Sequence, residues 1–163
     1  MSLRKLVTSV RLGSVLVVLA AAGCAGATRE STAAANAGID SLNARIAGAY
    51  RTHDPKLYAT LWTDSAVFEW PAFNSVHGPA GMAEMARNNW ASLRDMDLRL
   101  DVASRRVTGR SATEFGAFQQ AYTDSSGARF TEYGRYVSYL TRQQDGRWLM
   151  DRFFGFEDST RRR

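Results

Sequence analysis

The chain has 163 residues, with 21 basic and 16 acidic side chains, and its formal net charge is +5 at neutral pH. Its single cysteine excludes an internal disulfide, and one cysteine with two histidines argues against a transition-metal site built from protein ligands alone. The sequence contains no basic stripe, P-loop, dinucleotide fingerprint or serine nucleophile elbow, so we expect no metal, no cofactor and no nucleic-acid partner.

Residues 1–23 have the layout of a secretory signal peptide. Three basic residues and no acid surround the start of the chain, and the uncharged run LGSVLVVLAAA follows at residues 12–22. This run is too short to span a bilayer, which needs about 20 apolar residues. Removal of residues 1–23 takes three of the 21 basic residues and leaves 18 against 16 acidic ones, a net charge of +2. We therefore predict export.

The predicted signal ends in AAGC, which resembles the lipobox of bacterial lipoproteins. The resemblance implies that Cys24 carries a diacylglycerol and anchors the protein to a membrane of the cell envelope, since each buried CH₂ contributes about 0.8 kcal/mol. Residues 24–36 are small and polar and are predicted to form a tether. An ordinary cut after Ala22 or Ala27 is the alternative, and a cut after Ala27 would release a secreted or periplasmic soluble protein.

Three helices are predicted in the first half of the remaining chain, which we assign to one domain at residues 37–157. The first covers about residues 35–52, where Ile39, Leu42 and Ile46 recur at helical spacing. A short second helix begins after the N-cap residue Asp54 and ends near residues 63–64. After a strand at residues 66–70, a third helix is predicted to open near the Gly-Pro pair at 78–79.

The second half shows a periodicity of two and predicts four strands. They are expected at residues 98–102, 112–122, 129–142 and 147–156. Helices followed by antiparallel strands are typical of an α+β domain with the helices on one face of the sheet. The final residues 158–163 are predicted to be a solvated basic tail.

Apolar side chains are predicted on both faces of the last two strands. On the longest strand, Tyr136 and Leu140 point one way and Tyr133, Val137 and Tyr139 the other. On the last strand, Trp148, Met150, Phe154 and Phe156 are expected to oppose Leu149 and Phe153. A sheet solvated on one side alternates more cleanly, so we predict a homodimer formed through the sheet.

Three segments together resemble the nuclear-transport-factor-2-like superfamily, and SnoaL-like domains within it. They are YRTHDPKLYATLWTDSAVFEWP, HGPAGMAEM and DGRWLMDRFFG. The resemblance covers roughly residues 36–157 and implies a cone-shaped fold, with three helices packed into a curved antiparallel sheet and a pocket at the open end. The superfamily includes isomerases, cyclases, dehydratases and domains that only bind or assemble, so the fold does not settle the function.

The resemblance also tests the isomerase reading. The isomerases' catalytic aspartate precedes the proline that ends the first strand, and that position here is Trp70. Their carbonyl-polarising tyrosine falls near Ile46, and their partner acid falls near Ser138. Neither indole nor an alkyl chain can carry out these roles, so ketosteroid isomerase chemistry is not expected.

The stretch SAVFEWPAF at residues 65–73 instead predicts one wall of an aromatic cavity. Such a cavity suits flat or apolar ligands. Phe68 and Trp70 share one strand face, and about half of the seven candidate aromatic residues are expected to be ordinary core, Trp62 and Trp90 foremost. The predicted ligand-binding residues are Tyr50, Phe68, Trp70, Tyr122 and Tyr136.

Asp151 is the candidate acid or base, because it lies between Met150 and Arg152 in an aromatic-rich strand where lost hydration would raise its pKa. A surface aspartate paired with Arg135 or Arg152 is an equally open interpretation. His77, at the expected rim, is the second candidate base.

Three hypotheses follow. The first is an exported, membrane-tethered domain that binds a small apolar or aromatic molecule. The second is a cyclase- or dehydratase-type enzyme that uses Asp151, and the third is a dimeric assembly module with a filled core.

Overall fold

The computed structural model describes residues 31–162, apart from the side chain of Phe73. The predicted signal peptide, Cys24 and most of the predicted tether lie outside these residues. Within them the chain forms three helices and six strands. In chain order these are α1 (Thr32–Thr52), α2 (Pro55–Ala59), β1 (Trp62–Trp70), β2 (Phe73–His77), α3 (Gly78–Trp90), β3 (Arg94–Thr108), β4 (Ser111–Thr123), β5 (Arg129–Arg142) and β6 (Trp148–Arg162).

The first helix begins three residues earlier than predicted. Ser31 is its N-cap and accepts a hydrogen bond from the backbone N–H of Ala34. Residues 32–36 of the predicted tether are therefore helical. The predicted apolar stripe is buried, with Ile39, Leu42 and Ile46 at most 4% exposed, so α1 packs one face onto the sheet.

The second helix is shorter than predicted, because its last residues are needed by the sheet. Asp54 caps it by accepting the backbone N–H groups of Lys56 and Leu57, as expected. The helix ends at Ala59, and the carbonyl of Leu61 then accepts the N–H of Met150 at 2.9 Å. This pairing with β6 makes β1 begin at Trp62 instead of residue 66.

Six strands form one curved sheet in the order β2-β1-β6-β5-β4-β3. Every neighbouring pair is antiparallel except β1 and β6, which run parallel. The short edge strand β2 was not predicted. It pairs with β1 directly after the Pro71 turn and leads into α3.

Residues 158–162 of the predicted basic tail are exposed, but they form the end of strand β6. Strand β6 continues to Arg162, and Arg161 and Arg162 pair with Thr131 and Phe130 of β5. The guanidinium of Arg161 lies 5.3 Å from the centre of the Tyr133 ring. The sequence pattern there was obscured because these strand residues are exposed and polar.

A bulge at Asp151 changes which side chains of β6 face the helices. Tyr139 pairs with Arg152 and Leu140 pairs with Met150, so Asp151 is the extra residue. Met150 and Phe153 therefore both pack on the helix side. Simple alternation put Phe153 opposite Met150, and that prediction is wrong.

The core lies between the helices and the concave face of the sheet, where α1 packs against β3 and α3 packs against β1. The opposite face, here called the outer face, is exposed and partly aromatic. Phe115, Tyr139 and Phe156 lie on it and are 44–48% exposed. None of the described helices has the length and hydropathy to cross a bilayer.

Candidate functional site

An aromatic cavity lies between α1, α2 and the concave face of the sheet. Its free volume is small, ≈ 40 Å³, and the atom-free space rises to ≈ 450 Å³ when its open mouth is counted. A free volume of this size holds a few water molecules, so an aromatic ring can enter only if a lining side chain moves. The lining residues are Ile46, Tyr50, Tyr58, Trp62, Phe68, Trp70, Leu98, Leu100, Phe118, Gln120, Met150 and Phe153.

Aromatic rings stack in a row along one wall of the cavity. The rings of Phe68 and Trp70 are nearly parallel, with an interplanar angle of 6° and centroids 6.1 Å apart. Phe68 also stacks on Phe153 at 5.3 Å. These contacts arise because β1 and β6 are adjacent and parallel, which brings the aromatic residues of the two strands onto one surface.

A glycine beneath Trp70 allows its indole to lie flat on the sheet. A Cβ added to Gly155 would lie 2.2 Å from Cζ3 of Trp70, far inside van der Waals contact. The absence of a side chain at Gly155 therefore decides where the Trp70 ring lies. Trp70 is half-buried and forms part of the mouth.

The back of the cavity is formed by a second aromatic group from the helices. Tyr50 and Tyr58 meet edge to face at 5.8 Å, and both contact Trp90. Burial raises the pKa of Tyr50 to about 12 and raises that of Tyr58 as well. Both hydroxyls therefore remain neutral at physiological pH and can act as hydrogen-bond donors.

The structure brings together three of the five predicted ligand-binding residues. Tyr50, Phe68 and Trp70 line the cavity, but Tyr122 and Tyr136 are not among the lining residues. Of the two expected core residues, Trp62 lines the cavity and Trp90 packs behind Tyr50. Phe118, Phe153 and Gln120 also line the cavity and were not predicted. Phe153 was not predicted because the bulge at Asp151 changes the face of the sheet on which it lies.

Tyr136 instead belongs to a buried polar network around Glu114. The Glu114 side chain is 0% exposed, and its Oε1 accepts hydrogen bonds from Tyr136 Oη at 2.7 Å and from Asn43 Nδ2 at 3.0 Å. Its Oε2 accepts Arg105 Nε at 2.7 Å, and Arg105 also pairs with Asp40 of α1. The network joins α1 to three strands and was not predicted, since a glutamate in a strand is most often exposed.

Tyr122 belongs to a second polar group at the other end of the concave face. Its hydroxyl donates a 2.7 Å hydrogen bond to Glu132 Oε1 on the neighbouring strand. Burial, and then the hydrogen bond with Glu132, raise the pKa of Tyr122. Burial also raises the pKa of Glu132, and the charge of Glu157 adds to this rise.

The two candidate catalytic residues are not brought together. Asp151 accepts hydrogen bonds from Thr63 Oγ1 at 2.8 Å and Ser65 Oγ at 3.4 Å, and it borders a shallow hollow of the outer face with Arg152. It does not line the aromatic cavity, because the bulge turns it away. His77 is exposed and precedes α3 without capping it through its side chain.

The positions that resemble those of the isomerase machinery are apolar or uncharged. Trp70 and Ile46 both line the cavity, and Ser138 is 0% exposed in the core. Within residues 31–162, no group of three metal-ligating side chains is close enough to hold a metal ion.

Comparisons with known proteins agree with this architecture. The sequence profile of the SnoaL-like domain family matches residues 31–153. No curated protein sequence matches the chain.

Several solved structures share the fold at low identity. A protein from Novosphingobium aromaticivorans proposed to be an aromatic ring hydroxylase has a TM-score of 0.74 and 21% identity, covering 82% of this chain and 96% of its own. A type 2 hexachlorocyclohexane dehydrochlorinase has a TM-score of 0.70 and 17% identity, covering 80% and 90%. A nuclear transport factor 2-like superfamily protein from Salmonella enterica has a TM-score of 0.71 and 16% identity, covering 79% and 94%. The chain therefore belongs to the SnoaL-like domain family, with a nuclear-transport-factor-2-like α+β fold.

Proposed function

We propose that this protein is an exported, membrane-tethered SnoaL-like domain that binds a small apolar or aromatic molecule in its aromatic cavity. The observation that carries the proposal is the nearly continuous aromatic lining beneath an open mouth. Such a lining offers ring faces and edges to a flat ligand but little to a strongly polar one.

The size of the cavity limits the ligand to about one ring. With ≈ 40 Å³ of free volume, a ring has to displace a lining side chain. Trp70 is suited to this movement, because it is half-buried and lies where the pairing of β1 with β2 is irregular. A swing of its indole toward solvent would open the mouth without disturbing the helices.

The activities named for two structural relatives are in line with a ring-shaped ligand. One is proposed to hydroxylate aromatic rings, and the other is a dehydrochlorinase of hexachlorocyclohexane. Their identities of 21% and 17% carry no substrate over to this chain.

Methionine-methyl NMR tests the proposal with benzene and indole as probes. Met150 lines the cavity, whereas Met82 is equally buried in α3 and does not. Saturable shifts of the Met150 methyl signal, with the Met82 signal unchanged, are the expected result, because ring currents act only on close neighbours.

A matched pair of cavity variants makes this test decisive. Leu100→Ala on β3 enlarges the cavity, and Val107→Ala shortens a partly buried residue of the same strand that does not line it. Binding should tighten in Leu100→Ala and stay at the wild-type level in Val107→Ala. Absence of saturable binding in both the wild type and Leu100→Ala would overturn the proposal in favour of a filled-core assembly module.

The proposed export and membrane attachment depend on Cys24 and the signal-like segment before it. In cells, Cys24→Ala should move the protein from the membrane fraction to the soluble fraction, because it removes the site of the acyl anchor. Unchanged membrane partitioning would contradict lipidation.

We also propose that two copies pair through the outer face of the sheet. The support is a band of exposed aromatic side chains, with Phe115 48% and Phe156 47% exposed on neighbouring parts of that face. Exposed aromatic clusters of this kind on a sheet commonly mark an interface.

A further inference from the structure

The aromatic cavity has a polar end on the concave face, where Gln120 contributes its lining amide. No hydrogen bond to the Gln120 side chain is made within residues 31–162, so its amide is available to a ligand at the mouth. The other polar groups of the lining belong to aromatic residues. Gln120 is therefore the lining residue best placed to bind a polar group of a ligand.

Glu132 lies directly beside Gln120. The two residues are opposite each other in the β4–β5 ladder, two positions from the pair that Phe118 makes with Gly134. Opposite residues of an antiparallel pair point to the same face, with Cβ atoms roughly 5 Å apart. Glu132 is thus placed next to the cavity lining, on the concave face.

The carboxylate of Glu132 keeps one oxygen for a ligand. Oε1 accepts the hydrogen bond from Tyr122, and no donor of residues 31–162 reaches Oε2. No ion pair joins Glu132 to a cation of that region. Burial raises the pKa of Glu132, the hydrogen bond from Tyr122 opposes this rise, and the nearby charge of Glu157 adds to it.

An electrostatic link joins Glu132 to the cavity. Burial raises the pKa of the lining residue Tyr50 to about 12, and the negative charge of Glu132 contributes to that rise. The arginines at the end of β6 do not neutralise this region. Arg161 lies over the Tyr133 ring, and Arg162 pairs with Phe130, two residues farther from the cavity on β5.

We propose that the cavity selects an aromatic ligand bearing a protonated amine, with the ring among the aromatic side chains and the ammonium group bound by Glu132 and Gln120. This inference rests on the proposed function and names its ligand class. An ammonium group has three donors for the free carboxylate oxygen and the amide oxygen, and aromatic faces attract cations. A carboxylate ligand would be repelled by Glu132 and Glu157.

Three single-ring probes separate charge from ring binding. They are benzylamine, its neutral isostere ethylbenzene, and benzoate, each followed through the Met150 methyl signal. Benzylamine should bind about tenfold tighter than ethylbenzene, as expected for one charge-assisted hydrogen bond, and benzoate should bind most weakly.

The variant Glu132→Gln should bind benzylamine no more tightly than ethylbenzene. Its affinity for ethylbenzene should equal that of the wild type, and this result would also show that the variant is folded. Glu84→Gln, at an exposed position of α3, is the matched control and should keep the preference. Equal binding of benzylamine and ethylbenzene by the wild type, or a preference that survives Glu132→Gln, would overturn this inference alone. Failure of all probes in the wild type and in Leu100→Ala would overturn the proposed function and this inference with it.

Discussion

At the scale of single residues, the two tyrosines that were expected in the cavity are held elsewhere by glutamates. Tyr136 donates to buried Glu114, and Tyr122 donates to Glu132. A sequence pattern places an aromatic residue on a face, but it does not show whether its hydroxyl has a partner. Tyr50, Phe68 and Trp70 were predictable because helical spacing and strand alternation put each on one face of its element, and the family resemblance indicated that these faces look into the cavity.

Glu114 should be the most sensitive polar residue of the fold. Replacing it in Glu114→Gln removes the charge that compensates Arg105, whose side chain is 10% exposed. Leaving a buried charge without any counter-charge costs roughly 3–5 kcal/mol. Arg105 keeps its 2.7 Å pair with Asp40, so we expect a smaller loss of about 1–3 kcal/mol. Urea unfolding measures this loss in the free energy of unfolding.

The exposed pair of Arg99 and Asp101 is the control for this prediction. Both side chains are at least 53% exposed, so Asp101→Asn should change stability little. The double variant Arg105→Met with Glu114→Leu should recover only part of the lost stability. No buried charge remains unpaired, but Tyr136 and Asn43 lose the oxygen that accepts their hydrogen bonds. Equal losses for Glu114→Gln and Asp101→Asn would show that the network is not stabilising.

Substitution by alanine should change the stability of the fold in opposite directions at two glycines. Gly155→Ala would force Trp70 off the sheet and should destabilise the fold by about 1–3 kcal/mol, as overpacking does. Gly48→Ala in α1 meets no atom within 4 Å and should stabilise it by about 0.5–1 kcal/mol, because alanine favours a helix. Thermal unfolding and tryptophan fluorescence measure both effects, and an unshifted Trp70 emission in Gly155→Ala would contradict the account.

At the scale of elements, a single bulge limits what the sequence could predict. The strand positions of β5 were predicted in full, because buried residues alternate with less buried ones from Gly134 to Leu140. In β6 the extra residue Asp151 reverses the faces of the residues that follow it, as far as the second irregularity at Asp158. This reversal put Phe153 into the cavity wall and Asp151 outside it. Period-two reasoning contains no signal for such an insertion. The edge strand β2 was missed for a related reason, since five residues carry little periodicity.

The proposed pairing of two sheets predicts a response to charge on β4. Phe115→Asp places a carboxylate in the exposed aromatic band and should convert a dimer to a monomer, since a buried unpaired charge is costly. Sedimentation velocity at several micromolar concentrations measures this change. Val102→Asp, a similarly exposed site on β3 that pairs with Gly116, is the control and should stay dimeric. A monomeric wild type would exclude this interface.

At the scale of the whole molecule, the order of elements predicted the α+β class, and the family resemblance added the cone. The sheet was predicted to be antiparallel, but it is mixed, because β1 and β6 run parallel. The family resemblance rested on the order and spacing of three loose motifs, and this survived errors of several residues at individual boundaries. The free volume of the cavity was beyond sequence reasoning, because it depends on the rotamers of a dozen packed side chains.

Burial of tyrosines throughout the concave side predicts sensitivity to alkali. Tyr50, Tyr58, Tyr122 and Tyr136 all have pKa values raised above 10.0 by burial. Their neutral forms are favoured in the folded state, so this stability is fully present below pH 10 and is lost as pH rises toward and beyond 12. Tyrosinate absorbance during an alkaline titration should show these four residues ionising together with unfolding.

The control for this titration is Tyr50→Phe, which removes one of the four groups. Its stability should fall less steeply above pH 10 than that of the wild type. Ionisation of all tyrosines near pH 10 in a still-folded protein, judged by near-ultraviolet circular dichroism, would contradict the burial argument.

The parallel pairing of β1 with β6 sets the order in which the chain can become compact. Phe68 and its neighbour Phe153 are 85 positions apart in the sequence, and the hairpin strands between them can assemble earlier from local contacts. A nascent chain that ends before residue 148 has no partner for one side of its first strand. Its aromatic wall then stays open until synthesis is almost complete, which is compatible with the proposed export of an unfolded chain.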